Sequence, residues 1–365
     1  MPWLARSLLG AALLLGLTMP LAAAPAYPET RRDATVETLF GEKVADPYRW
    51  LEDDVRSSPE VADWVARENR ATHDYLVQVP ARAWFHDKIA SLLNYERYSI
   101  PVKAGTRYFY RRNSGLQNQA QLFVRNGLNG KQRLLLDPNL WAKDGAAALD
   151  AWKPSPAGRY LLYSVQDGGS DWRRLEVLDV KSGKRLPDRI EWAKFTELAW
   201  IGEESFLYSR FPEPDEGKDF QALNYNQSIY FHRLGTPQDA DRMVFATPDH
   251  PDRGHSAEVT DDGRWVVITS AIGTDARNEI HVIDLSRLAT EGWYARPLIT
   301  GFDNAWNLID GINGALWFST NEDAPRYRIV AIPLDQPNPR WVEVVPQLTE
   351  TIDGAAIVGN RLVVS

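Results

Sequence analysis

"TDDGRWVVITSAIGTDARNEIHVIDL", Thr260 to Leu285, sets two apolar runs behind a glycine turn and joins them through a polar loop. In "RWVVITSA" and "NEIHVIDL" the β-branched and aromatic residues are dense enough for strands, and a strand alternates its side chains between two faces. The pattern recurs. "TRYFYRR", "RYLLYSV", "SFLYSRF", "ALWFST" and "NRLVVS" are further short strands, introduced with "RWVVITSA" by Gly105, Gly158, Gly202, Gly263, Gly314 and Gly359. These glycines lie 53, 44, 61, 51 and 45 residues apart, about 51 on average.

Each repeat has a second half, in which a polar loop leads to another strand and a turn. "DWRRLEVLDVKSGKRL" (171–186), "RNEIHVIDLSRLAT" (277–290) and "PRYRIVAIPLDQPNP" (325–339) are three of these halves. Four short strands repeated every ~50 residues define β-propeller blades, and a β-sandwich would not repeat such a unit five times. The spacing predicts blades near 100–138, 152–189, 196–248, 255–301 and 304–346, with a sixth begun at 349. A propeller whose chain stops inside a blade keeps raw strand edges, so the sequence reads as a fragment of a longer protein.

Ahead of the strands the period is helical. In "DPYRWLEDD" (46–54) Asp46 is placed to cap a helix and Pro47 to occupy its first position, with Trp50 and Leu51 a turn later. Ser58-Pro59-Glu60 starts a second helix, and Trp84, Phe85, Ile89, Leu92 and Leu93 mark the packing face of a third. Residues 27–98 form this helical segment and 99–365 the incomplete propeller.

Residues 1–26 have the layout of a secretory signal peptide: one cation, Arg6, an apolar run from Leu8 to Leu17, then small residues ending in Ala24-Pro25-Ala26. That run is half the length a membrane span needs. An exported protein, periplasmic or secreted, is the expectation. The formal charge of −8 includes Arg6, and without it the chain carries −9. With no basic block there is no electrostatic footprint for nucleic acid or for an anionic membrane. The chain has no cysteine, which excludes disulfides, thiolate catalysis and thiolate-bound zinc.

"VADPYRW" and "DPYRWLEDD", with the following "SSPEVADWVARENRATHDYL", closely resemble the N-terminal region of the prolyl oligopeptidase family. The resemblance continues through 155–200 and 257–285. It implies a serine peptidase in which a seven-bladed propeller caps an α/β-hydrolase domain, with the N-terminal helical segment belonging to the hydrolase side. About five blades and the start of a sixth are present here, and Trp50, Asp171 and Trp172 fall where the family's propeller side meets the hydrolase domain. By the same resemblance Phe195, in "AKFTELAW", matches an aromatic that lines the substrate pocket. Where the family can place an arginine after the "DDGR" strand, this chain has Ala271, which puts distal subsite contacts in doubt. Short proline-containing peptides are the implied substrates, the protein's own C-terminal hydrolase domain the implied partner, and a monomer the implied state of the complete protein. No cofactor is implied.

The catalytic chemistry is absent from the chain itself. The closest approach to the G-x-S-x-G nucleophile motif is Gly254-His255-Ser256-Ala257-Glu258, which ends in Glu and reads as a propeller turn. His73, His86, His232, His250, His255 and His281 show no catalytic or metal-binding spacing and read as surface or blade-packing residues. The acid pairs Glu203-Glu204 and Asp261-Asp262 read as turn residues. By the family's mechanism a serine, a histidine and an aspartate beyond Ser365 would cut after proline. Two alternatives remain open from the residues: an oligopeptidase B-like enzyme cutting after Arg or Lys, and a propeller that only binds.

Overall fold

A computed structural model describes residues 26–365, apart from 144, 337, 338 and 360. The signal-peptide expectation therefore lies, but for Ala26, outside the described residues. Among the described residues no helix is long and apolar enough to cross a membrane. The chain separates into two compact units, Met1–Lys88 and Ile89–Ser365.

The first unit begins with something the sequence reading did not anticipate. Val36–Leu39 and Glu42–Ala45 form an antiparallel hairpin closed by Phe40 and Gly41. Both turn residues have positive φ, 53° and 87°, the requirement of a tight two-residue hairpin. Phenylalanine is an unusual occupant of the first position, which hid the turn. "DPYRWLEDD" is also not an α-helix: only Arg49–Glu52 coil, as one 3₁₀ turn, before Asp53 becomes extended. The Asp46 carboxylate accepts from the Tyr48 amide at 3.4 Å and from Arg49 Nε at 2.6 Å, closing a turn rather than capping a continuing helix. Trp50 is buried, donates from Nε1 to the Arg31 carbonyl at 3.1 Å, and meets Trp64 edge to face at 6.4 Å. Trp64 is carried by helix α1, Pro59–Leu76, which starts at Ser58-Pro59 as expected. Helix α2, Arg82–Leu93, spans the boundary between the units. None of its residues is buried, and Trp84, Phe85, Ile89 and Leu92 are each more than half exposed, so its apolar face is open rather than packed.

The second unit is a run of antiparallel sheets. The first pairs Arg97–Tyr98 and Val102–Ala104 with Arg107–Asn113, followed by Gln121–Asn126 and Arg133–Leu136. The second comprises Ala148–Pro154, Tyr160–Gln166, Arg173–Asp179 and Lys184–Ala193, and the third Ala199–Ile201, Ser205–Arg210, Ser228–Arg233 and Arg242–Phe245. One residue pair, Ala193 with Arg210, joins the second and third into a continuous eight-stranded sheet. The fourth runs from Arg253–Val259 to Arg296–Ile299 and the fifth from Trp306–Ile312 to Val342–Val345; Ala355–Val358 and Arg361–Val364 form a two-stranded sixth. These are the blades of an incomplete β-propeller.

Strand alternation explains how the blades hold together. Leu161, Tyr163 and Val165 share a core with Phe109, Leu122 and Val124 of the first blade. Their neighbour Leu162 faces the other way, into a core with Trp200, Phe206 and Tyr208 of the third. In the fourth blade Val266 and Ile268 pack towards Leu207 and Ile229, and Trp265 and Val267 towards Leu316 and Phe318. The central strands of the second, third and fourth blades thus divide their apolar residues between two neighbours, and these blades do not bury their faces alone.

The six glycines separated by about 51 residues all have positive φ, between 55° and 79°, and each turns the innermost strand of a blade into the next. Two are held by contact as well as conformation. A Cβ on Gly105 would stand 2.6 Å from the Ala157 carbonyl oxygen, and one on Gly158 would stand 2.8 Å from that of Ala104. The turns of the first two blades therefore interlock. The acid pairs serve the same purpose: Glu203 accepts from Ser155 Oγ at 2.7 Å and from the Ala157 amide, tying the third blade to the second. Asp262 accepts from Thr260 Oγ1 and from the Arg264 amide within its own turn. Gly254 to Glu258 differ from expectation, since they lie within strand Arg253–Val259, fully paired with the next strand, rather than in a turn.

Candidate functional site

Phe195 follows the last strand of the second blade, where the backbone breaks from the sheet twice. Trp192 (φ 60°) and Phe195 (φ 52°) both adopt the left-handed conformation, which costs a bulky L-residue about 1–2 kcal/mol each. Such strain persists only where neighbours enforce it. Here the enforcement is visible: Gln227, 2% exposed, donates from Nε2 to the Lys194 carbonyl at 2.7 Å, and its Oε1 accepts the His255 amide at 2.5 Å. One side chain thereby fixes the Phe195 segment to the edge strand of the fourth blade.

The result is a displayed aromatic. Phe195 is 59% exposed and meets Phe211 edge to face at 6.5 Å. Phe211 in turn meets Trp172 at 6.3 Å, and Trp172 meets Trp192 at 5.5 Å. The Trp172 indole donates to the Asp219 carbonyl at 2.7 Å, which ties the loop before Asn226 to the 167–172 turn. Asp171 is exposed beside it. Phe195, Phe211, Gln227, His255, Thr269 and Ala271 line a largely apolar cavity of about 490 Å³, within the usual range for small-ligand pockets. Three residues singled out from the sequence, Phe195, Asp171 and Trp172, thus lie in one cluster, with Ala271 across the cavity from the aromatic wall. Trp50 lies in the first unit, in the packing already described.

The cavity also has polar lining, Asp252 and His255 among it. His255 is buried, with Nδ1 2.9 Å from Ser270 Oγ and Nε2 3.1 Å from Thr247 Oγ1. Burial, helped by nearby His281 and Arg253, depresses its pKa to about 4, so the ring is neutral at physiological pH. Nothing here activates Ser256, which also lines the cavity. Lys194 is a buried lysine beside the cavity: it is 8% exposed, with Nζ 4.6 Å from the Trp172 ring centroid and 5.6 Å from that of Phe195. Sequence reasoning passed over Lys194, Phe211 and Gln227, since none stands in a motif and their association depends on a backbone kink that no local pattern announces.

Among the described residues no group of histidines and carboxylates is arranged to hold a metal ion. The strongest electrostatic cluster of the second unit is structural. His232, in the third blade, is fully buried, with Nδ1 2.7 Å from Asp241 and Nε2 3.1 Å from Asp188. Tyr208 donates to the other Asp241 oxygen at 2.7 Å. His232 thus packs within a blade, one of the two roles, surface or blade-packing, expected of the histidines.

Comparison with known proteins adds a family. Residues 28–365 match the model described as the N-terminal β-propeller domain of prolyl oligopeptidase. A prolyl endopeptidase of Elizabethkingia meningoseptica is 35% identical over 328 residues, 90% of this chain and 45% of that protein. A chain from a structural and mechanistic study of two prolyl endopeptidases is 47% identical with a TM-score of 0.70, covering 93% of this chain and 48% of its own. Prolyl oligopeptidase B of Galerina marginata, solved with a 35-residue substrate, superimposes with a TM-score of 0.79 at 25% identity. The chain spans about half the length of the curated relatives it matches. With its blades and the match across 28–365 in agreement, the chain belongs to the prolyl oligopeptidase family, as the N-terminal β-propeller part.

Proposed function

We propose that this chain is the substrate-admitting half of an exported serine endopeptidase that cuts short peptides on the carboxyl side of proline. The observation that carries the proposal is the Phe195 cavity: an aromatic held out on strained backbone over a largely apolar pocket, where a peptide side chain can exchange water for ring contacts. The propeller admits short unfolded peptides and excludes folded proteins. A following hydrolase domain supplies the serine, its histidine base with the orienting aspartate, and the oxyanion hole. Residues 1–26 direct export, and short proline-containing peptides are the substrates. With Ala271 in place of a cation, the cavity reads apolar side chains rather than a distal charge or carbonyl.

The test is Phe195→Ala in the whole protein that carries this chain, assayed with chromogenic peptides ending in Gly-Pro and in Gly-Arg. Cleavage after proline, with KM raised about tenfold and kcat little changed, is expected, since removing uniform substrate binding raises KM alone. Cleavage after arginine would favour the oligopeptidase B reading. An unchanged KM would remove the cavity from the substrate path.

A further inference from the structure

Lys194 is a buried residue whose ammonium ends over aromatic rings. It is 8% exposed, its Nζ is not among the buried side-chain atoms left without a partner, and no salt bridge to it stands among the described residues, so the tip keeps some water while the stem is enclosed. A buried lysine ordinarily finds a carboxylate. The nearest electrostatic support is exposed Asp171, too distant to form an ion pair. Arg173 and Arg210, from the strands on either side of Ala193, are engaged elsewhere, with Asp150 and over the Tyr230 ring. What Nζ has instead is two π faces, Trp172 at 4.6 Å and Phe195 at 5.6 Å. Both distances are within the range at which a ring quadrupole attracts a cation.

The two rings differ in what else holds them. Trp172 is fixed by its hydrogen bond to the Asp219 carbonyl and by edge-to-face contacts with Trp192 and Phe211. Phe195 has one aromatic neighbour, Phe211, and more than half its surface is open. Gln227 fixes the backbone carbonyls on either side of the Lys194–Phe195 peptide, but a backbone anchor leaves the Phe195 ring its own rotation.

We propose that Lys194 is the positioning residue of the cavity: its ammonium couples the exposed Phe195 ring to the Trp172 ring and so sets the wall against which an apolar substrate side chain packs. The proposal rests on the reading of the Phe195 cavity as a peptide subsite. Lys194 touches no reacting atom, and its effect falls on preference for the side chain in the cavity. Burial depresses its pKa below the ordinary 10.5, although Asp171 opposes the shift. As pH rises through that depressed value the ammonium is lost and the clamp opens. Global stability moves the opposite way over the same interval, because there the unfolded chain holds the proton more tightly than the folded one. Release of the clamp is therefore separable from unfolding.

The experiment uses the full chain and blocked Xaa-Gly-Pro peptides with Xaa glycine, leucine or phenylalanine, titrated by calorimetry. Wild type is expected to bind the phenylalanine peptide more tightly than the glycine peptide. Lys194→Met keeps the side-chain volume without the charge, and is expected to cut that preference by about five- to thirtyfold; Lys194→Arg, whose guanidinium also rests on aromatic faces, keeps most of it. In parallel, 5-fluorotryptophan NMR, with the Trp172 resonance identified by its loss in Trp172→Phe, is expected to show that resonance titrating below pH 10.5 in wild type and not in Lys194→Met. Lys194→Met that retains the full preference while Phe195→Ala abolishes it would overturn the proposal and leave the subsite reading intact. Wild type with no preference would remove the subsite reading, and the fluorine titration would then decide the clamp: a Trp172 resonance indifferent to Lys194 overturns it.

Discussion

The Asp188–His232–Asp241 cluster makes the stability of the third blade a function of pH, with a sign and size that follow from its geometry. Burial alone would drive His232 to the neutral form, but the hydrogen bonds its ring donates to Asp188 and Asp241 outweigh it and hold the ring up at about 9, against 6.5 for an unperturbed histidine. A folded pKa above the unfolded one means that the contribution is complete below pH 6.5 and is lost as pH rises through 9. A gap of about 2.5 units corresponds to about 3 kcal/mol, a large share of the stability of an ordinary domain. Asp241→Asn removes one of the two carboxylates that charge the ring while keeping its size. The assay is equilibrium urea unfolding at half-unit steps from pH 6 to 10, in wild type and Asp241→Asn, with the slope taken as a difference so that groups common to both cancel. Wild type should lose about 3 kcal/mol across that range and the variant, which keeps Asp188, distinctly less, and the imidazole resonances of His232 should titrate near 9 in wild type. Equal slopes in the two proteins would refute the reasoning, because His232 would then not be the charged partner of those carboxylates.

Two further outcomes follow. His255, held neutral down to about pH 4, has the opposite linkage: stability should fall by about 3 kcal/mol as pH drops from 6.5 through 4, and His255→Gln should flatten that limb of the urea curve. Gly158→Ala should cost about 2–4 kcal/mol, since it combines a left-handed backbone with a Cβ 2.8 Å from the Ala104 carbonyl, whereas Gly263→Ala, with nothing within 4 Å, should cost only about 1 kcal/mol in thermal or urea unfolding.

Much of the propeller was legible because its signal is repeated. The six glycines mark turns that demand positive φ, and the strands behind them alternate as their residue types require, so one correct blade predicts the rest. Non-repeating features were harder to read. Phe40-Gly41 closes a hairpin with a residue that turn statistics disfavour, and Asp46 bonds a guanidinium where a capped helix was expected. Gly254 to Glu258 contain a glycine but form a strand, because the pairing partner across the blade decides the conformation. At the candidate site Phe195, Asp171 and Trp172 came from family resemblance. Lys194 and Gln227 came only from the structure, since a kinked backbone and a cation over two rings are properties of tertiary contact.

The Ala193–Arg210 pair that sews the second and third blades into one sheet has a dynamic consequence. Elsewhere neighbouring blades are joined by side-chain packing and by a few hydrogen bonds outside the ladder, such as those of Asn278 to Asn304 and Trp306, so one can loosen while its neighbour keeps its strands. Across this seam the ladder itself is shared, with a core containing Leu162, Leu175, Trp200 and Phe206 behind it. Amide protons from 148 to 245 should therefore exchange as a single cooperative block, and later than those of the sixth, two-stranded sheet. Phe195 is mounted two residues past that seam, so its backbone anchor is tied to a ladder that two blades share.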